Sequence, residues 1–347
     1  MMGARLAVIV PLYNGAGFIG DALDSLAAQT VPLSEVIVVN DGSDDDGPEI
    51  VRRHGFRPRL IEQPHSGVAA ARNRGAFAAE ARYIAFLDQD DLWLPFRHER
   101  ILAFLDVNTS CRALVTNEQS FYLAGDRVGL EARDEPLHRS ADHPNVRDLR
   151  TLLTEATPPD GPPIVTKSID TRDLLRGPIA TTTSYVFDRE SFFVAGAAPV
   201  LGRSMDDYWT LVNVSRFTEI PLLDEPSVLR RIHPSSASIS TSWPMPLLTW
   251  LAAARFGGNL ISNGRERDPE HVEPLGLFWQ HQLLALARSG RQGLLDALAL
   301  TQLLAATHDE RASLILRLTK SAMTTRLADH VVAWRSRMSR GAARLPL

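Results

Sequence analysis

The chain has 347 residues, 44% of them hydrophobic, enough to bury a sizeable core in one large domain with an addition, or in two domains. Its net charge of −4 offers no basic excess for binding nucleic acid. Its one cysteine, Cys111, excludes an intrachain disulfide, fits a reducing compartment and reads as a small buried apolar residue.

Leu6-Ala7-Val8-Ile9-Val10 is apolar and β-branched, a buried first strand. It is too short to span a membrane and lacks a cleavage site, so the expectation is a chain without a leader. Pro11-Leu12-Tyr13-Asn14 follows, then Gly15, Gly17 and Gly20, which spell G-x-G-x-x-G. Asp41 comes about 20 residues further on, as in a dinucleotide-binding fingerprint. Phe18, Ile19, Ala22, Leu23 and Leu26 then recur at helical spacing.

Glu35–Val39 is a second strand ending in Asn40-Asp41-Gly42-Ser43, and a helix from Pro48 to His54 follows. Arg59–Glu62 is a short strand. Ser66 is placed to cap an Ala-rich helix from Gly67 to Ala81. Tyr83–Leu87 is another strand, ending in Asp88-Gln89-Asp90-Asp91. Strands separated by helices predict parallel pairing and an α/β sheet with its ligand beyond the carboxyl ends of the strands.

The pattern dissolves from about Asp126 to Gly177, and Pro158-Pro159-Asp160-Gly161-Pro162-Pro163 marks a loop. It returns with a strand at Ser184–Phe187, a helix over Arg189–Ala195, a helix over Asp206–Phe217, and an extended stretch Leu222–Ile232 ending at His233-Pro234-Ser235. From about Trp250 the chain turns helical. Its last stretch sets Arg326, Arg335, Arg337, Arg340 and Arg344 among Val331, Val332, Trp334 and Met338. Such a segment packs on the domain with a solvated basic face, pairs two copies, or lies on an anionic membrane surface.

The polar residues gather at the predicted strand ends. Asp88 and Asp90, one residue apart where an apolar strand stops, can reach one hard cation and one sugar hydroxyl together; oxygen ligands suit Mg²⁺ or Mn²⁺. Asp41 can accept a hydrogen bond from a ribose or base, or simply shape its Asp-Gly turn. Arg72 lies about one turn into a helix whose N-terminus favours anions, where it can contact base or phosphate. Asp206-Asp207 suits a helix N-terminus on electrostatic grounds alone, and equally supplies a general base. His233 is a structural histidine unless the fold brings it to Asp90.

Several stretches, in this order, resemble the inverting family 2 glycosyltransferases with the GT-A fold: "VIVPLYNGAGFIGDALDSLAAQT", "EVIVVNDGSDD", "HSGVAAARNRGAFAAEARYIAFLDQDDLWLP", "DDYWTLV" and "LRRIHPSSAS". The match is dense over residues 5–105 and thinner over 178–240. The resemblance implies a GT-A domain over 1–240 built on a mostly parallel sheet flanked by helices. Residues 1–120 would be the nucleotide-sugar half, and 121–240 the acceptor and catalytic half with its loop at 125–177. A helical region would follow over 241–347. Pro11, Tyr13 and Asn14 would line the base and ribose site, Asp41 and Arg72 would contact the base, and Asp88 with Gln89 would lie near the ribose and donor sugar. Asp90 would bind Mn²⁺ or Mg²⁺, with His233 completing the site. Asp207 would be the catalytic base, with Asp206 as the alternative.

The implied partners are a nucleotide-sugar donor, UDP-linked by family habit, and a glycan, lipid-linked or other hydroxyl acceptor in surface polysaccharide or glycoconjugate synthesis. The implied place is the cytoplasm or the inner face of the membrane. There are departures: Asn40 stands where the family usually has an acid, and Gly196-Ala197-Ala198-Pro199 replaces a Gly-Gly-Phe-Asp.

Two other readings remain at this level. An NAD-dependent oxidoreductase would use the glycines. Against it, four residues separate Gly15 from the strand, unmetallated pyrophosphate is repelled by the acids, and the second run of strand–helix units is missing after residue 120. A non-catalytic nucleotide-sugar-binding partner protein would keep Asp41 and Asp90 but has no need of Asp207.

Overall fold

The structure is a computed structural model and describes residues 5–123, 145–146, 149, 153, 156–175, 179–198 and 206–234. The expected helical region 241–347 and its basic tail lie outside these residues, as does most of the 125–177 loop. The chain divides into two compact units, one of Met1–Leu174 with Pro178–Ser242, the other of Leu175–Gly177 with Trp243–Leu347. Among the described residues no helix is long and apolar enough to cross a membrane.

The first half alternates as the periodicity predicts: β1 (Leu6–Leu12), α1 (Ile19–Ala27), β2 (Glu35–Asn40), α2 (Gly47–Arg53), β3 (Arg59–Glu62), α3 (Val68–Ala78) and β4 (Tyr83–Phe86). β1 is buried along its whole length. Its Leu6, Val8, Val10 and Leu12 share a core with Ile19, Ala22, Leu23 and Leu26 of α1, the helical stripe seen in the sequence. Ile9 points the other way and meets α3. A Cβ on Gly75 would stand 2.3 Å from Ile9 Cγ2, so only glycine lets that helix lie so close. β1 therefore carries a layer on each face, as a buried parallel strand requires.

α3 begins differently from the expectation. Ser66 does not cap it; its Oγ donates to the Pro64 carbonyl, and Gly67 occupies the cap position with φ 91°. The Asp41 carboxylate takes the amides instead, Ser66 N and Gly67 N, each at 2.8 Å. The helix also stops at Ala78, because Ala79 is extended.

Beyond β4 come β5 (Leu92–Trp93), α4 (Arg97–Val107), β6 (Ala113–Leu123), β7 (Asn145–Val146), β8 (Val165–Ile169), α5 (Thr171–Leu175), a 3₁₀ turn (Thr182–Ser184), β9 (Tyr185–Asp188), α6 (Arg189–Val194), α7 (Asp206–Ser215) and β10 (Ile220–Arg231). The sheet order is β3-β2-β1-β4-β9-β6-β10-β5, with β7 on β6 and β8 on β10. β3, β2, β1 and β4 are parallel, as expected. The rest is mixed: β9 is antiparallel to both β4 and β6, β6 and β10 are parallel, and β5 and β8 are antiparallel to β10.

β8 falls inside the segment expected to be loop. Val165 to Ser168 are all exposed and only Ile169 is buried, so no hydrophobic alternation announces this edge strand.

Candidate functional site

The carboxyl ends of β1, β2 and β4 present three loops to one side of the sheet. The loop after β1 is interlocked with the loop after β2. Asn14, in the left-handed region at φ 48°, accepts Asp44 N at 2.8 Å and donates its own amide to Ser43 Oγ at 3.0 Å. Asp45 accepts Ala16 N at 2.8 Å and Gly47 N at 3.0 Å, tying the start of α1 to that of α2. Pro11 is buried within β1, while Tyr13 and Asn14 are exposed.

Asp41 is 2% exposed. Besides the two amides before α3, it accepts Gln63 Nε2 at 2.7 Å and lies 2.9 Å from His65 Nδ1. The His65 ring stacks on Tyr13 with centroids 4.1 Å apart and planes 25° from parallel. Tyr13 and Asp41, far apart in sequence, thus share one neighbour. Sequence reading missed His65, whose only signal is its place two residues before the Gly67 cap.

Gln89 is clamped to the Tyr13 backbone: Oε1 accepts Tyr13 N at 2.8 Å and Nε2 donates to Tyr13 O at 3.1 Å. Gly15 sits under that amide, where a Cβ would be 2.4 Å from Oε1. Gly17 and Gly20 face open space. Among the three glycines of the opening motif, a close approach explains only Gly15.

Arg72 is buried and joins two acids. One guanidinium nitrogen donates to Asp206 Oδ2 at 2.7 Å and the other to Asp88 Oδ1 at 2.6 Å. Burial alone would loosen its proton, but Asp88, Asp206 and Asp207 outweigh that and hold it more tightly than usual. One cation for the half-buried Asp88 and the buried Asp206 leaves negative charge over, and desolvation raises both above the usual carboxylate range despite Arg72. Asp207, next along α7, is only half-buried; its Oδ2 accepts the Thr182 hydroxyl at 2.8 Å and its Oδ1 the Tyr208 amide at 2.7 Å.

The strand end after β4 carries the remaining acids. Asp90 Oδ2 lies 2.9 Å from His233 Nε2, so the fold does bring that histidine to Asp90. Phe18 stacks against the His233 ring at 4.4 Å. Asp91 is fully inside, accepting Thr183 Oγ1 at 2.7 Å and Arg231 N at 3.1 Å. Burial, then the charges of Asp90 and Asp88, push its carboxyl well above the usual range.

Asp90 and His233 together offer one hard oxygen and one imidazole nitrogen; the oxygen suits Mn²⁺ or Mg²⁺, the nitrogen favours the transition metal of the two, and the surplus negative charge is what a cation relieves. Among the described residues no three His, Cys, Asp or Glu side chains converge on one point. Phosphate oxygens and water would supply the remaining ligands.

Residues 7–124 match the sequence model of "Glycosyl transferase family 2". Over that segment the chain is similar to glycosyl transferase family 2. Two curated relatives are an uncharacterized glycosyltransferase YibD of Escherichia coli, 38% identical over 28% of this chain and 29% of its own length, and an uncharacterized glycosyltransferase EpsJ of Bacillus subtilis, 43% identical over 25% of this chain and 26% of its own. The chain thus spans under a third of the length of these relatives.

The matched segment sits in a fold similar to that of S. aureus TarS, at 16% identity and a TM-score of 0.61 over 91% of this chain and 53% of that one. A crystal structure of TarS 1–349 in complex with UDP-GlcNAc aligns with a TM-score of 0.53 and 17% identity, covering 92% of each chain. These likenesses establish a mixed α/β fold similar to GT-A glycosyltransferases.

Proposed function

We propose that this chain is a family 2, metal-dependent inverting glycosyltransferase that moves a sugar from a nucleoside-diphosphate donor, UDP-linked in the first instance, to a hydroxyl acceptor of a surface glycan or glycoconjugate. The observation that carries the reading is the Asp88–Arg72–Asp206 bridge. It ties the acid pair opening α7 to the acids ending β4, so an acceptor-side carboxylate stands beside the donor-side ones.

In this reading Tyr13, backed by His65 and Gln89, is the face on which a base stacks, and Pro11, Asn14, Asp41 and Arg72 complete the donor site. Asn14 is exposed, whereas Pro11, Asp41 and Arg72 act from within, and Asp41 and Arg72 already hold protein groups. Asp90 and His233 hold the metal, with Asp88 alongside. When bound, Mn²⁺ or Mg²⁺ supplies Lewis-acid neutralisation of the departing diphosphate.

Asp207 takes the proton from the acceptor hydroxyl as that oxygen attacks the anomeric carbon. The bond to the diphosphate oxygen breaks on the opposite face, and configuration inverts. Two contrasts favour Asp207 over Asp206 as base. Asp206 is buried and ion-paired, whereas Asp207 is partly exposed and bonded only to a hydroxyl and an amide. The negative field of Asp88 also suits a transition state with oxocarbenium character.

Asp207→Asn is expected to abolish diphosphate release from the nucleotide sugar while UDP still binds; turnover near that of the wild type would overturn the base assignment. Asp90→Ala is expected to remove the Mn²⁺-dependent part of UDP binding. Calorimetric titrations with and without Mn²⁺ that match those of the wild-type chain would remove the metal from the scheme.

The dinucleotide reading loses its support at the sheet. After the parallel order β3-β2-β1-β4, the next neighbour β9 is antiparallel, so among the described residues no second mononucleotide half continues this sheet.

A further inference from the structure

Between the sheet and α7 runs a short stretch of hydroxyls, Thr181-Thr182-Thr183-Ser184, whose last three residues form the 3₁₀ turn and are buried. Nothing in a turn leading into a strand demands hydroxyl groups there; small apolar side chains would fill the space. Here each one is committed. Thr182 Oγ1 donates to Asp207 Oδ2 at 2.8 Å. Thr183 Oγ1 donates to Asp91 Oδ2 at 2.7 Å and accepts the Asp88 amide at 3.4 Å. Adjacent residues of one turn therefore hold the half-buried acid of α7 and the acid loop after β4.

The turn is itself fixed from below. Glu118 Oε2 accepts Thr181 N at 2.9 Å, Thr181 Oγ1 at 2.6 Å and Ser184 Oγ at 2.9 Å. Arg97, with 0% exposure, donates to the Thr183 carbonyl at 3.0 Å and to Thr116 and Ser227 hydroxyls, and its guanidinium lies 4.6 Å from the Trp93 ring centroid. A buried guanidinium is costly to desolvate, and this one makes no ion pair among the described residues. Burial lowers its pKa to about 9, so it keeps its charge at neutral pH. Its hydrogen bonds run to the turn and the strands beneath it.

We propose that Thr182 is a positioning residue whose hydroxyl aims the Asp207 carboxylate at the acceptor, and that the turn it belongs to, pinned by Arg97 and Glu118, sets Asp207 in register with the Asp88–Asp91 loop. The proposal rests on Asp207 being the base of a glycosyl transfer. The groups facing Asp207 are Thr182 from the turn, Asp206 and Tyr208 from its own helix, Arg72 from α3 and Tyr185 from β9. Of these, Thr182 supplies the side-chain hydrogen bond to its carboxylate.

The test compares Thr182→Val, nearly the same shape without the hydroxyl, with Thr182→Ser, which keeps it. Turnover is read as nucleoside diphosphate released to water from UDP-, dTDP- and GDP-linked hexoses with Mn²⁺, and the Asp207 rotamer from crystal structures of both full-length variants. Thr182→Val is expected to lower kcat by about tenfold or more, the scale of a lost hydrogen bond to a charged group, with donor KM held within about twofold. Its Asp207 carboxylate swings off the wild-type position, and Thr182→Ser restores both rate and rotamer.

An unmoved Asp207 in Thr182→Val, or a kcat within about twofold of the wild type, overturns the proposal. A wild-type chain that releases no nucleoside diphosphate from any donor counts instead against the glycosyl-transfer reading, and full turnover by Asp207→Asn counts against Asp207 as the base on which the proposal rests. The crystal comparison still decides whether Thr182 positions Asp207.

Discussion

The Gln89 amide grips both backbone polar groups of Tyr13, and the grip exists only because residue 15 has no side chain. Gly15→Ala would place a Cβ 2.4 Å from Gln89 Oε1, and the flexible side chain gives way before the backbone does. The expected cost to stability is modest, about 1 kcal/mol, but Tyr13 loses its anchor. UDP binding with Mn²⁺ should weaken in Gly15→Ala, and weaken no further when that change is added to Gln89→Ala. Calorimetry on both single variants and the double variant checks this, and independent, additive losses would dissociate the glycine from the clamp. Much of the site could be read at this scale, because acids at strand ends and the spacing of Asp88 and Asp90 are local features. His65, Thr182 and Thr183 could not. Each matters through a partner supplied by another element, and nothing in their immediate neighbours announces it. The Asp90–His233 contact was legible only as a condition on the fold, which the parallel pairing of β6 with β10 meets by carrying the end of β10 to the acid loop.

Elements whose burial alternates with helical or strand period were legible: α1 by its stripe, β1 and β2 by their unbroken apolar runs. Those whose stability comes from the sheet around them were not, as the exposed β8 and the two-residue β5 show. Nor could the sequence order reveal that β9, which enters the chain so late, lies against β4 and turns the sheet mixed. α4 illustrates how an element is tied in by polar groups at its start. His98 gives its amide to Gln29 Oε1 at 3.0 Å and its Nδ1 lies 2.8 Å from the Val31 carbonyl. Burial lowers the pKa of His98 below its ordinary 6.5, against the raising effect of the Val31 carbonyl. The folded chain thus holds the neutral ring, while the unfolded chain binds a proton first as pH falls. The His98 contribution is therefore complete above 6.5 and is lost as pH drops from there toward the folded value. Urea midpoints measured at about pH 7.5 and about pH 5 should fall more steeply for the wild type than for His98→Gln. Identical falls would place the pH sensitivity elsewhere.

At the strand ends Asp88, Asp90 and Asp207 are half-buried, Asp91 and Asp206 are buried beside them, and Arg72 bridges Asp88 and Asp206. In the proposed scheme a diphosphate entering alone meets like charge, and a divalent cation entering alone would meet Asp90 and His233, with water for the rest of its shell. In that scheme each is the other's missing partner, and their binding is expected to be coupled. A coupling of about 1–3 kcal/mol is typical, roughly 5- to 150-fold in affinity, and linkage requires it to be the same in both directions. UDP and Mn²⁺ added together are thus expected to raise the melting temperature by more than the sum of their separate shifts, since each ligand stabilises the fold by mass action in proportion to its tightened affinity. The factor by which Mn²⁺ tightens UDP must equal the factor by which UDP tightens Mn²⁺, and Asp90→Ala should bring both toward one. Simply additive shifts in the wild-type chain would mean that the acids at the strand ends hold no cation for the diphosphate.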